Sequence, residues 1–67
     1  MSEMIGMAAG KVWQFLKDNG PAPGKKIQKG IGENAELTNQ AIGWLARESK
    51  LIVDRSQKGN PTYALRE

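Results

Sequence analysis

The first regular pattern in the chain is an apolar stripe that runs from about residue 4 to residue 19. Its members recur at three- and four-residue steps, as on one side of an α-helix, and they are Ile5, Ala9, Val12 and Leu16. Gly20 and Pro21 follow, and this pair ends a helix because glycine tolerates left-handed backbone geometry and proline cannot continue the hydrogen-bond ladder. The pattern therefore predicts a helix that ends near Asn19.

A second helical stripe covers about residues 33–49. One side of this helix is formed by Leu37, Ala41, Trp44, Leu45 and Glu48. Ile42 lies at the margin of this side. Asn34 suits the N-cap position, and Glu36 suits the positive end of the helix dipole. The cap, the stripe and the charges all predict a helix here.

The segment between these two helices, residues 21–32, carries Ile27 and Ile31 four residues apart, which predicts a short helix. Its prolines suit extended or first-turn positions. Gly24 and Gly30 each disfavour a helix interior by about 1 kcal/mol relative to alanine. Tertiary packing must therefore hold this helix.

The last part of the chain predicts a β-hairpin, with strands over residues 51–56 and 62–66 and a turn at Gly59-Asn60. A two-stranded ribbon is marginal alone, so we expect its apolar side chains to cover the helices, namely Leu51, Val53, Tyr63 and Leu65. The predicted fold is α+β and mainly α, a three-helix bundle followed by a C-terminal hairpin. We expect residues 1–67 to form a single domain.

Two segments resemble a small prokaryotic winged helix-turn-helix family of uncharacterised function. They are GKVWQFLKDNGP at residues 10–21 and AIGWLARESK followed by LIVDR at residues 41–55. The resemblance implies that about residues 34–48 form the recognition helix and that the hairpin is the wing. Ser49 departs from many winged-helix domains, which have glycine at the turn from helix to strand.

Composition excludes several classes of function. The 67 residues include no Cys and no His, which removes disulfides, thiolate chemistry and the usual zinc ligands. No Ser or Thr has a His partner, and GKKIQKGIG lacks the spacing of a phosphate-binding loop. We expect no metal, cofactor or small-molecule ligand, no catalysis, no membrane segment and a cytoplasmic location.

The basic residues suggest a DNA contact, in keeping with a net charge of +3. Lys25, Lys26 and Lys29 are the candidates for phosphate contacts from the second helix. The third helix would present a polar face that comprises Glu36, Asn39, Gln40, Gly43 and Arg47, with Thr38 at its edge. Of these, Asn39, Gln40 and Arg47 suit base edges, and the wing adds Arg55 and Lys58.

Each of these signals has an ordinary interpretation. An exposed helix face is polar in any soluble protein, and a run of lysines often serves solubility alone. Glu33 and Glu36 stand where the third helix would enter a groove of DNA, and their carboxylates would repel phosphates.

Trp13 and Trp44 stand at the margins of their stripes, so they either pack in the core or form a protein interface or a homodimer contact. The leading hypothesis is a DNA-binding module, with transcriptional regulation as its role. The alternative is a protein-interaction winged helix without nucleic-acid binding. Single-strand or RNA binding ranks last, because the four aromatic residues form no evident stacking platform.

Overall fold

The computed structural model describes residues 2–56 and 59–66, and the side chains of residues 2 and 3 lie outside that description. The described elements follow in the order α1 (Ser2–Asn19), β1 (Ala22–Pro23), α2 (Gly24–Ile31), α3 (Ala35–Arg47), β2 (Leu51–Asp54) and β3 (Thr62–Leu65). The three helices pack around one core, and the hairpin of β2 and β3 closes one side of it.

Helix α1 confirms the first predicted stripe. Its buried residues are Ala8, Ala9, Val12 and Leu16, and Ile5 is half-buried. The helix ends where Gly20 adopts a left-handed φ of 82° and donates its N–H to the carbonyl of Leu16 over 2.8 Å. The glycine thus performs the predicted role of a helix stop.

The short strand β1 is a departure from the predicted order of elements, which had no strand between the first two helices. Ala22 pairs with Tyr63 and Pro23 pairs with Thr62, so the sheet has three antiparallel strands in the order β1-β3-β2. Two residues are too few for an alternating pattern, and proline is compatible with a strand at a sheet edge. The pairing ties the chain before α2 to the last strand.

Helix α2 is held by the packing that its two glycines require. Ile27 is completely buried, and Ile31 packs against the core. Gly32, at φ 71°, ends the helix and donates its N–H to the carbonyl of Gln28 over 3.0 Å. Lys11 of α1 and Glu33 after α2 form a salt bridge of 2.6 Å that joins the two segments.

Helix α3 begins as predicted, because the side chain of Asn34 accepts a hydrogen bond from the N–H of Leu37 over 2.7 Å. The predicted orientation is wrong in detail. Thr38, placed at the edge of the polar face, is 1% exposed, and Ile42, placed at the margin, is 6% exposed. The buried face therefore comprises Thr38, Ala41, Ile42 and Leu45, and Leu37 is half-buried.

The turn from α3 into β2 contains Ser49, which stands where many winged-helix domains have glycine. Ser49 adopts a left-handed φ of 59°, the only such non-glycine residue among those described. The N–H of Lys50 then donates to the carbonyl of Leu45 over 2.9 Å. The turn keeps the geometry for which glycine is preferred, although serine occupies it.

The hairpin covers the core through three of the four predicted side chains, whereas Val53 is half-buried and is not among those packed against the core cluster. Leu51 is buried, while Tyr63 and Leu65 are half-buried and pack against the core cluster. Leu51 pairs with Leu65, and Val53 pairs with Tyr63. Ile52 faces the other side and is 52% exposed, which follows from the alternation of side chains along a strand. Among the described residues, no helix is long and apolar enough to cross a membrane.

Candidate nucleic-acid interface

A groove of about 280 Å³ lies where α2, α3 and the β2–β3 hairpin meet. We call it the hairpin groove, and it is lined by Gly24, Lys25, Gln28, Ala35, Asn39, Asn60, Pro61 and Tyr63. Each of the three elements contributes polar groups to one concave surface.

The β1–β3 pairing brings these elements together. Because Ala22 pairs with Tyr63, the tyrosine ring stands beside the first residue of α2. A Cβ atom at Gly24 would lie 3.6 Å from Cε2 of Tyr63, which is ordinary contact distance. The ring therefore forms a wall of the groove next to the start of α2.

The electrostatics at the start of α2 favour an anion. Pro23 occupies the N-cap position with extended geometry, and it makes no side-chain hydrogen bond to the helix. The first turn contains no acidic residue, and Lys25 stands in it. Exposed N–H groups at the positive end of a helix, beside a cation, form a surface suited to phosphate.

Of the candidate nucleic-acid residues that the structure describes, two line the hairpin groove, Lys25 and Asn39. The other described candidates are exposed but lie outside its lining, and they are Lys26, Lys29, Gln40, Arg47 and Arg55. Lys58 lies outside the described residues. The hairpin groove therefore includes only part of the candidate set, and Lys26 and Lys29 are exposed on the helix that also carries Lys25.

The two glutamates that argued against DNA are both outside the lining of the hairpin groove. Glu33 is paired with Lys11 over 2.6 Å, so its charge is balanced by α1. Glu36 is exposed in the first turn of α3. The repulsion expected from Glu33 is thereby reduced, whereas Glu36 retains an exposed carboxylate near the groove.

Sequence reasoning missed most of the residues that line the hairpin groove. Asn60 was identified only as a turn residue and Tyr63 only as cover for the helices, and Gln28 and Pro61 were not singled out. Their proximity to α2 depends on the β1–β3 pairing between residues far apart in the sequence. The strand that makes this pairing has only two residues, so the sequence carries no periodic signal for it.

Both tryptophans lie elsewhere, on a second groove of about 310 Å³ between α1 and the end of α3. We call it the tryptophan groove, and it is lined by Gly6, Ala9, Gly10, Trp13, Trp44, Leu45 and Lys50. Trp13 is 37% exposed and Trp44 is 43% exposed. Burial in the core therefore does not account for either indole, and this part of the core-packing interpretation is wrong.

Three helices and a small antiparallel sheet, with a β-hairpin after the third helix, define a winged helix-turn-helix domain. The chain belongs to the family described as winged helix-turn-helix domain (DUF2582), whose model matches residues 1–63. The resemblance noted in the sequence is thus confirmed, and the β2–β3 hairpin is the wing.

A relative and two solved structures are similar to the chain. Uncharacterized protein MJ1608 of Methanocaldococcus jannaschii is 38% identical over 56 residues, which cover 81% of this chain and 80% of that protein. Protein BT2368 of Bacteroides thetaiotaomicron, solved in solution, has a TM-score of 0.78 at 30% identity, and the match covers 94% of this chain and 76% of that one.

The Zalpha domain of PKZ from Carassius auratus, crystallised in complex with Z-DNA, has a TM-score of 0.82 at 24% identity. The match covers 92% of this chain and 97% of that domain. At this identity the likeness shows the shared fold.

Proposed function

We propose that the chain is a DNA-binding module whose hairpin groove contacts the sugar–phosphate backbone. The observation that carries the proposal is the convergence of Lys25, Asn39 and Asn60 with the start of α2 in one groove. A cation, two amides and the N–H groups of a helix N-terminus donate hydrogen bonds that phosphate oxygens accept.

Further residues extend the contact around the groove. Lys26 and Lys29 on α2, and Arg55 after β2, are exposed cations that add to the attraction for a polyanion. Gln40 and Arg47 stand exposed on α3 and suit hydrogen bonds to base edges. The ring of Tyr63 and Pro61 give the groove apolar surface against which a sugar or an exposed base packs.

The structural neighbour solved with Z-DNA supports DNA as the ligand class. It also makes it necessary to test both right-handed and left-handed duplexes. Contacts to the backbone recognise the course of the phosphates, which differs between right- and left-handed duplexes. Regulation of transcription is one cellular role that such binding would serve.

The test is an NMR titration of the ¹⁵N-labelled protein with two duplexes at about 50 and 200 mM salt. One is a short mixed-sequence duplex, and the other is an alternating cytosine–guanine duplex brominated to hold the left-handed form. We expect the amides of Lys25, Gln28, Asn39 and Tyr63 to shift in a saturable way, and we expect affinity to fall as salt rises.

Two variants locate the contact, one with three charges removed from α2 and one with a single charge removed after β3. Replacing Lys25, Lys26 and Lys29 together with alanine should weaken binding to every duplex and reduce the salt dependence, because each lost phosphate contact removes about 0.9 from the slope. Arg66→Ala removes a charge at the opposite end of β3 and should leave affinity within about twofold, since distant exposed charges are screened. Absence of any shift at low salt with either duplex would refute DNA binding.

A further inference from the structure

The tryptophan groove is a second concave surface that shares no lining residue with the hairpin groove. Its walls include the half-exposed rings of Trp13 and Trp44, and Gly6 and Gly10 leave the α1 side of it open. A Cβ atom at either glycine would meet nothing within 4 Å. The fold therefore imposes no close contact that requires glycine at these two positions, whereas side chains there would narrow the groove.

Two lysines stand at the tryptophan groove. Lys50 lines it, and the Nζ atom of Lys17 lies 4.8 Å from the centre of the Trp13 ring. None of the described residues that line it is acidic. Among the described side chains, those of residues 4–56 and 59–66, the salt bridge that is found joins Lys11 to Glu33 and involves neither of these lysines. An occupant with negative charges would provide ion-pair partners for Lys17 and Lys50.

These charges argue against a second copy of the chain as the occupant. In a two-fold dimer the same patch meets itself, so Lys17 and Lys50 of one copy would approach the same lysines of the other. Like charges facing each other across an interface are unfavourable. A symmetric dimer contact at this groove would therefore be opposed by repulsion between the lysines of the two copies.

The position of Lys17 and the concave shape of the groove argue against single-stranded nucleic acid as the occupant. Base stacking needs an open ring face, and Lys17 already lies over the ring of Trp13. A concave surface bounded by two indoles and by Leu45 instead fits an aliphatic or aromatic side chain.

We propose that the tryptophan groove binds a short acidic segment of another protein, in which an apolar side chain enters between the indoles and flanking carboxylates meet Lys17 and Lys50. The partner class follows from the apolar walls and the positive rim together. Exposed tryptophans in such surfaces commonly act as energetic anchors. This binding is independent of the hairpin groove.

The experiment starts from a random peptide library displayed on phage and selected on the immobilised full chain. We expect enriched peptides to carry an apolar residue flanked by Asp or Glu. An enriched peptide is then synthesised and titrated into the ¹⁵N-labelled protein. Trp13 and Trp44 are the 2 tryptophans of the chain, so their two indole N–H signals report the groove directly, and both should shift together with the amide of Gly10.

Two pairs of variants test the site. Gly10→Leu fills the groove and should weaken peptide binding at least tenfold, whereas Gly43→Leu makes the same change at another open helical glycine and should leave it unchanged. Lys17→Gln with Lys50→Gln should weaken binding about tenfold at low salt. Lys26→Gln with Lys29→Gln removes equal charge elsewhere and should change affinity less than threefold. Unchanged spectral dispersion confirms that each variant folds.

Several results would overturn the proposal. One is a selection that enriches nothing, or that enriches peptides without acidic residues. Another is a peptide whose shifts fall on the hairpin groove. Stronger shifts of the two indoles with an oligothymidylate would assign the surface to nucleic acid, and shifts that depend on protein concentration alone would assign it to a second copy.

Discussion

Phe15 of α1 lies directly against Gly30 of α2, so that a Cβ atom at residue 30 would overlap three carbons of the phenyl ring. This contact explains why a glycine stands in the last turn of a short helix, where alanine would be the better helix former. Because Gly30 has no side chain, α1 and α2 can lie close together. This close approach leaves room for Phe15 to pack against the core.

Gly30→Ala should therefore destabilise the protein, although helix propensity alone predicts a gain. We expect a net loss of about 1 kcal/mol, because overpacking costs about 1–3 kcal/mol and the propensity gain offsets part of it. Gly43→Ala in α3 meets no atom within 4 Å and should instead stabilise by up to about 1 kcal/mol. Urea unfolding of both variants measures the difference, and equal gains in both would contradict the contact.

Ser49 carries backbone strain that a single substitution relieves. At φ 59° a residue with a Cβ atom pays about 1–2 kcal/mol, so Ser49→Gly should raise stability by about 1 kcal/mol. Glu48→Gly is the matched control, because Glu48 has φ −83° and glycine there only adds flexibility. Thermal unfolding should show opposite shifts in midpoint for the two variants. A lower midpoint for Ser49→Gly would show that the serine side chain stabilises the turn.

The hydroxyl of Thr38 is buried and has no hydrogen-bond partner among the described residues. A buried polar group without a partner is costly, so Thr38→Val, which replaces the hydroxyl with a methyl group of similar size, should stabilise by about 1 kcal/mol. Thr38→Ser keeps the hydroxyl and removes a methyl group, and it should destabilise by about 1 kcal/mol. If Thr38→Val proves less stable than the parent in denaturant unfolding, the hydroxyl has a partner in solution.

Asp54 provides a prediction for acid pH. The hydroxyl of Ser56, and then its backbone N–H, which donates to Asp54 Oδ1 over 2.9 Å, lower the pKa of this carboxyl below its ordinary value of 3.8. A lowered folded-state pKa contributes stability above 3.8 that is lost as pH falls through the folded value. The stability difference between the parent and Asp54→Asn should therefore be constant near neutrality and shrink in acid.

An NMR titration of the Asp54 carboxyl carbon measures this pKa directly. Ser56→Ala should return the pKa toward 3.8, because it removes the larger of the two causes. A pKa that is unchanged by Ser56→Ala would leave the backbone N–H as the dominant cause.

The helices and the hairpin could be predicted because their signals are local. Apolar spacing, the Asn34 cap and the Gly20 stop each act within a few residues, and the structure confirms all three. The orientation of α3 was harder to predict, because a threonine on an amphipathic helix suits either the buried or the exposed face. Only the folded structure, in which Thr38 is one of the largest fully buried side chains together with Ile27 and Val12, shows that Thr38 belongs inside.

The hairpin groove was only partly predictable for a related reason. Lys25 and Asn39 were identified from residue type, since cations and amides suit nucleic acid on any exposed helix. Tyr63 and Asn60 join them through the pairing of β1 with β3, which local periodicity does not encode. The site is a product of long-range strand pairing, so it became visible only with the fold.

The geometry of α2 separates two lysines that are equivalent by charge. Lys25 lines the hairpin groove, and Lys29 is exposed on the same helix outside that lining. Loss of either charge weakens the general field of the protein to a similar extent, so any difference between them reports direct contact with the phosphate. We expect Lys25→Ala to reduce duplex affinity several-fold more than Lys29→Ala, and to reduce the salt slope by about 0.9 where Lys29→Ala leaves it nearly unchanged. Fluorescence anisotropy with a labelled duplex across a salt series measures both quantities. Equal losses in affinity and slope would place the phosphate contact along the whole of α2, and the hairpin groove would then have no special part in binding.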